Sequence, residues 1–268
     1  MGQLNRNNFL TFYSASTGIT PLRSFVGNDT YDGFIIWPNG EILSIWANIP
    51  NLPQINYRCK LVAKSNTEVI ETFSNLTPYN YSVGASDYTY PYGDMTLGGG
   101  VRAGFYQLRL ESVDGATVTQ IGLSNPIYVC SLAKAATMGN LFRFRNKFSM
   151  HGIMYAHDTN FYQRMWLPIG MTQSKPETDA TVHKDWRTGQ VSMLNVKSEM
   201  VHEMTTYHAG RWFHDAGALL ARHTDIQING YEYIGRGAYS IEPIGIDGNA
   251  TARFDVVELA NSTIQLCS

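Results

Sequence analysis

GFYQLRLESVDGATVTQIGLSNPIYV, residues 104–129, alternates apolar and polar side chains on either side of Asp114-Gly115. Tyr106, Leu108 and Leu110 fall on one face and Gln107, Arg109 and Glu111 on the other, the period of two that a half-buried strand needs. An Asp-Gly pair between two such runs predicts a tight antiparallel hairpin, because glycine takes the positive φ of a primed turn without a Cβ penalty. The same pattern extends upstream. FIIWPNGEILSIW (34–46) holds Asn39-Gly40 between two apolar runs and is predicted to be a second hairpin. INYRCKLVA (55–63) and TEVIETF (67–73) follow, separated by Lys64-Ser65-Asn66. Cys59 shares a face with Tyr57 and Leu61, the position of a small buried hydrophobe.

About seven short strands in the first 130 residues predict a sandwich, and the G-x-Y-x-L-x-L run from Gly104 to Leu110 has the form of the penultimate strand of immunoglobulin-like or fibronectin-like domains. SLAKAATMGN (131–140) is small and alanine-rich, and the domain boundary is placed there, giving units 1–130 and 131–268. In the second unit LFRFRNKFSMHGIMYA and FYQRMWLPIGM read as strands. ATVHKDW and QVSMLNVKS flank Arg187-Thr188-Gly189, and DIQINGYEYIG turns at Asn229-Gly230. One helix interrupts them near 211–223. At 100° per residue Leu219, Trp212, His223, Ala216, Leu220 and Phe213 fall within an arc of about 120°, with His214 on the far side. His223 is expected to end that helix, where an imidazolium suits the carbonyl end of the dipole. The predicted fold class is mainly β: two antiparallel sandwich or barrel domains, the first immunoglobulin-like, the second with one inserted helix.

Twenty basic and 22 acidic residues leave a formal charge of -2, which argues against a dedicated, sequence-specific nucleic-acid surface. MGQLNRNNFLTFYSASTGIT lacks the apolar core of a secretory signal, and no run approaches the roughly 18 apolar residues of a membrane span. A soluble protein made in a cytoplasm is expected, with no membrane partner. Cys59, Cys130 and Cys267 are widely spaced with no C-x-x-C. Reduced thiols are the expectation in that compartment, with a Cys59–Cys130 bridge across a sandwich as the alternative.

All seven histidines lie in the second half, yet no H-E-x-x-H occurs; His202-Glu203 is followed by the next histidine only at His208. On a strand those two would sit roughly 20 Å apart, too far for one ion. His157-Asp158 and His214-Asp215 are sequence neighbours whose side chains point apart. No catalytic, cofactor or metal residues are therefore predicted, and no cofactor is expected. LGGGVRAG (97–104) precedes a strand, whereas phosphate-binding glycine loops follow one and open a helix. G-x-S-x-G is absent, so no nucleophile elbow is signalled.

Two stretches are candidate interaction surfaces. PYNYSVGASDYTYPYGD carries Tyr79, Tyr81, Tyr88, Tyr90 and Tyr92 among Ser, Gly, Asp and Pro, the composition of an adaptable contact loop. A tyrosine-edged strand pair with ordinary packing is the other reading. Arg143, Arg145 and Lys147, with Lys134, lie in a span free of acidic residues between Asp114 and Asp158. A solvated strand face is one reading, and a face lining a ring lumen, meeting DNA or an acidic neighbour there, is the other.

Taken together, FRNKFSM (144–150), VHKDWRTGQ (182–190), EMVHEMTTYHAG (199–210), FHDAGALLARH (213–223) and TDIQINGYEYIGRGAYSIEP (224–243) resemble the β-domain pattern of virion proteins from tailed phages of Bacteroidota, including the crAss-like group. The resemblance covers about residues 140–260 and is one of arrangement, with no catalytic fingerprint. It implies a structural subunit of a tail, neck or connector. Such a subunit forms a homo-oligomeric ring, contacts neighbouring virion proteins above and below, and resides in the virion after assembly in the host cytoplasm. A carbohydrate-binding or adhesion protein using the tyrosine loop is the alternative from another class, and a metal-dependent hydrolase using the histidines is a third.

Overall fold

A computed structural model describes residues 8–14, 33–47, 49–50, 56–63, 68–83, 86–146, 161–243, 250–259 and 263–266. The chain is mainly β; among the described residues there are two helices and one large mixed sheet. The first half carries β1 (Phe12–Ser14), β2 (Ile35–Pro38), β3 (Ile42–Trp46), β4 (Ile49–Pro50), β5 (Asn56–Ala63), β6 (Val69–Val83), β7 (Ser86–Thr96), β8 (Gly104–Asp114), β9 (Thr117–Ser124) and β10 (Ile127–Cys130). The second carries α1 (Leu132–Met138), β11 (Asn140–Arg145), β12 (Gln163–Leu167), β13 (Ile169–Lys184), β14 (Val191–Thr206), α2 (Arg211–Leu220), β15 (Asp225–Ile228), β16 (Tyr231–Pro243), β17 (Ala250–Glu258) and β18 (Thr263–Leu266). Among the described residues no helix is long and apolar enough to cross a membrane.

Strands pair in the order β1–β9–β8–β5–β6–β7–β3. A second run leaves β8 through β10 and passes along β2, β12, β11, β15, β16, β17, β14 and β13. The β10–β2 pair is parallel.

Two of the three predicted hairpins form, and backbone angles explain the third. At Asn229-Gly230 both residues take positive φ, 52° and 91°, which a type I′ turn requires, and Ile228 pairs directly with Tyr231. At residue 115 the glycine alone is positive, and Asp114 pairs with Thr117. At Asn39-Gly40 only Gly40 is positive, with the Glu41 amide donating to the Pro38 carbonyl at 3.1 Å, as in a type II turn. That turn splays its arms. β2 therefore pairs with β10 and β12 while β3 pairs with β7, so the predicted second hairpin is a corner between strands that do not pair with each other.

The alanine-rich stretch at the expected boundary is a helix. Ser131 caps α1 by accepting the Lys134 amide, alanine supplies high propensity, and Gly139 ends it where a Cβ would overlap the Leu167 carbonyl. Ala135 seals a small cluster with Ile36, Cys130 and Trp166. The main core is continuous across residue 130: Trp37, Tyr57 and Leu110 belong to the same buried cluster as Phe142, Phe213 and Phe254. Phe9 joins the halves, its ring 4.9 Å from Phe213 and 6.3 Å from Phe144. Cys59 and Cys130 are buried free thiols, so the bridge considered from sequence is not formed.

Helix α2 buries Phe213, His214, Ala216, Gly217 and Leu220, while Trp212 and Leu219 are only half-buried. The apolar arc expected from sequence is thus turned by roughly 80°, and His214, expected outside, is 1% exposed. The reason is polar satisfaction. Its Nε2 lies 3.1 Å from the Ala209 carbonyl and 2.9 Å from that of Ala250, and its Nδ1 lies 3.0 Å from the Tyr239 hydroxyl. Carbonyls only accept, so Nε2 carries the hydrogen and Nδ1 accepts from Tyr239. The imidazole thereby braces the Ala209–Ala250 bridge that ties the start of α2 to β17.

Candidate functional site

The tyrosine stretch is a strand pair. β6 and β7 place Tyr79 opposite Tyr90 and Tyr81 opposite Tyr88, with Tyr92 opposite Thr77. Tyr90 is 5% exposed against Trp46, ring centroids 5.8 Å apart, and Tyr92 packs on Phe161 at 5.1 Å. Tyr90 is thus packed internally, and half-buried Tyr92 joins the same cluster through Phe161. The side chains of Tyr79, Tyr81 and Tyr88 lie outside the described residues.

Arg143 and Arg145 stand on β11, and Lys147 lies outside the described residues. Both guanidinium groups hold the Tyr162 ring, at 4.1 and 4.4 Å from its centroid, and Arg145 forms an ion pair with Asp225 at 2.7 Å. Neighbouring Arg164 pairs with Glu41 at 2.7 Å. Arg145 of the span without acidic residues is therefore supplied with a partner from β15, and Arg164, beyond that span, with one from the turn before β3. A cavity of about 450 Å³ opens beside it, lined by Arg145, Tyr162, Asp225, Gln227, Glu232 and Tyr233 among others.

The histidines separate by environment. His151 and His157 lie outside the described residues. His214 is the core brace described above. His223 follows α2 and is also buried, with Nδ1 2.7 Å from the Leu219 carbonyl and its ring 5.0 Å from Phe144. Burial pushes it down to about 4, against the hydrogen bonds to Leu219 and Leu220, so it is neutral near pH 7. The imidazolium expected at the dipole end is excluded by the desolvation that this packing imposes. His202 lies between Ser174 and Glu258. Among the described residues no group of three His, Cys, Asp or Glu side chains is placed to hold a metal ion.

A large exposed feature is the β13–β14 hairpin, whose strands are sixteen residues each. Directly opposed residues share a face. One face carries Met171–Met204, Pro176–Met200, Ala180–Val196 and Val182–Met193; the other carries Lys175–Val201, Glu177–Glu199 and Asp179–Lys197. On the charged face Arg236 bridges Glu177 at 2.9 Å and Glu199 at 3.4 Å, relieving two like charges held in register. The apolar face lies open at its outer end. Val182 is 57% and Met193 49% exposed, and Trp186 at the tip is 82% exposed under the Arg187 guanidinium. Sequence reading divided this arm into two separate strand candidates and missed its amphipathic character, although the alternation T-D-A-T-V in 178–182 was there to be read.

No family model matches the chain, and no curated protein is significantly similar to it.

Proposed function

We propose that the chain is a structural subunit of a phage virion, forming a homo-oligomeric ring in a tail, neck or connector. The single observation that supports this is the long hairpin whose outer end offers Val182, Met193, Trp186 and Val191 to solvent. Contiguous apolar surface on a chain with so few charges finds its cover in another protein surface. A second copy is the simplest cover, since a closed ring repeats one heterologous contact around its axis. Residues 1–130 then act as an immunoglobulin-like unit and 131–268 as a second β-unit with α2, sharing one core. Neighbouring virion proteins sit above and below, and the lumen meets DNA. Carbohydrate binding through the tyrosines is the weaker reading, because Tyr90 and Tyr92 are used internally.

Electron microscopy of the intact particle and mass photometry across concentrations test this. Wild type is expected to appear as a symmetric ring in the particle, and Val182→Asp with Met193→Asp is expected to abolish incorporation while leaving the melting temperature within about 2 °C, as for exposed positions. A particle holding one asymmetric copy would exclude the ring. Normal incorporation of the double variant would exclude the hairpin as its contact.

A further inference from the structure

At the base of the same hairpin, well away from its apolar tip, three side chains from three strands form a directed chain. The register sets Ser174 opposite His202, and His202 opposite Val256, with Glu258 two residues further along the same face of β17. Ser174 Oγ is 2.7 Å from His202 Nδ1, and His202 Nε2 is 3.3 Å from Glu258 Oε2. A carboxylate oxygen only accepts, so Nε2 carries the ring hydrogen and the Nδ1 lone pair accepts from the serine hydroxyl. The imidazole is buried, with Tyr233 edge-on at 5.5 Å, whereas Ser174 is exposed. The base is thus fixed in tautomer and orientation, and the hydroxyl it activates is open to solvent.

We propose that Ser174 is an activated nucleophile that attacks small carboxylic esters, with His202 as general base and Glu258 as its positioning residue. Nucleophile, base and orienting carboxylate stand in the relation that acyl transfer uses, with the two ring nitrogens exchanged in role. The surroundings suit the substrate. Among the described residues β13 pairs only with β14, and its ladder is broken between Met171 and Gln173. An edge strand turns alternate amide N–H groups away from its partner, which leaves donors along this edge for a developing oxyanion. Met171, Pro176 and Met200 flank the serine on its own face, an apolar bed for a short acyl chain.

In the reaction Ser174 Oγ forms a bond to the ester carbonyl carbon as its proton passes to His202 Nδ1. The carbon–oxygen bond to the alcohol then breaks, and the alcohol leaves with that proton. Water attacks the acyl-serine, gives a proton to Nδ1, and the acid departs as Ser174 regains its hydrogen. One ester and one water yield one acid and one alcohol.

The full chain is to be treated with an alkyl fluorophosphonate and, separately, with p-nitrophenyl butyrate. The expected result is a single adduct by intact mass, mapped to Ser174 and absent from Ser174→Ala, which should fold because the site is exposed. His202→Gln should slow both labelling and ester cleavage by about 100-fold or more, the scale of lost general-base catalysis, and Glu258→Gln should slow them to a smaller extent. No adduct on wild type, an adduct that survives Ser174→Ala, or ester cleavage by Ser174→Ala at the wild-type rate would each overturn the assignment. Failure of the ring leaves these readouts unchanged, since the chemistry is read on the chain itself.

Discussion

Replacing His214 with alanine is expected to destabilise the fold by about 3 to 5 kcal/mol, through a buried cavity and the loss of polar partners around it. The side chain lies where α2, β16 and β17 meet. Its removal leaves the Tyr239 hydroxyl without the Nδ1 acceptor and frees the brace on the Ala209–Ala250 bridge. Tyr239 itself stacks on Phe254 at 5.5 Å, so the disturbance enters the main core. Leu219→Ala, at a half-buried position against the Trp46–Tyr90 cluster, should cost less than about 2 kcal/mol. Gly217→Ala probes the same junction from the other side: an added Cβ would meet the Tyr239 hydroxyl, with Cζ at 2.7 Å and Cε2 at 2.8 Å. Only part of that penalty should be recovered in the Gly217→Ala, Tyr239→Phe double variant, because the hydroxyl is the nearest of three side-chain atoms in the way and Cζ and Cε2 remain. Urea unfolding of the full chain measures all four. Should His214→Ala unfold at the wild-type midpoint, the buried placement of the imidazole is wrong.

How much of this was legible follows from which interactions are local. The hairpins at Asp114-Gly115 and Asn229-Gly230 could be read because turn chemistry and strand alternation lie within a few residues of each other. Asn39-Gly40 carries the same dipeptide signal, but Asn39 does not adopt positive φ, and the Asn39 and Gly40 amides are claimed instead by the Cys130 and Leu97 carbonyls, at 2.9 Å each. A distant contact decided the turn. The rotation of α2 has the same origin: hydropathy alone places a histidine outside, and only the acceptors at residues 209, 239 and 250 make its burial favourable. Ser174, His202 and Glu258 are separated by 28 and 56 residues, and strand register alone brings them together. The interior of α1 could have been recognised, since Ser131 followed by alanines and closed by Gly139 is a capped helix in small letters.

Between pH 6.5 and about pH 4 the protein is expected to lose on the order of 3 kcal/mol of stability from His223 alone, with His214 adding in the same direction. An unfolded histidine takes up its proton near pH 6.5, whereas burial holds His223 neutral down to about 4. Within that window the unfolded chain binds more protons than the folded one, so stability rises with pH, by about 1.4 kcal/mol for each pH unit of difference. The contribution is complete above 6.5 and is lost progressively as pH falls toward 4. His214 is likewise lowered by burial, against its hydrogen bonds to Ala250 and Ala209. Carboxylates act in a different range. Burial would raise Glu111, but Arg58 at 2.7 Å, Lys60 at 3.0 Å and Arg109 at 2.8 Å overcome it and hold the carboxyl below its ordinary value. Its stabilisation therefore begins to fail only below about pH 4.3, the ordinary glutamate value, which leaves the interval above for the histidines. Urea midpoints in wild type should be close to each other at pH 7.5 and 6.5 and then fall through 5.5 to 4.8. His223→Gln, which retains a donor but cannot titrate, should start lower at pH 7.5 and decline less steeply across the same interval. A wild-type midpoint unchanged from pH 7.5 to 4.8 would show that these imidazoles are not held neutral in the core.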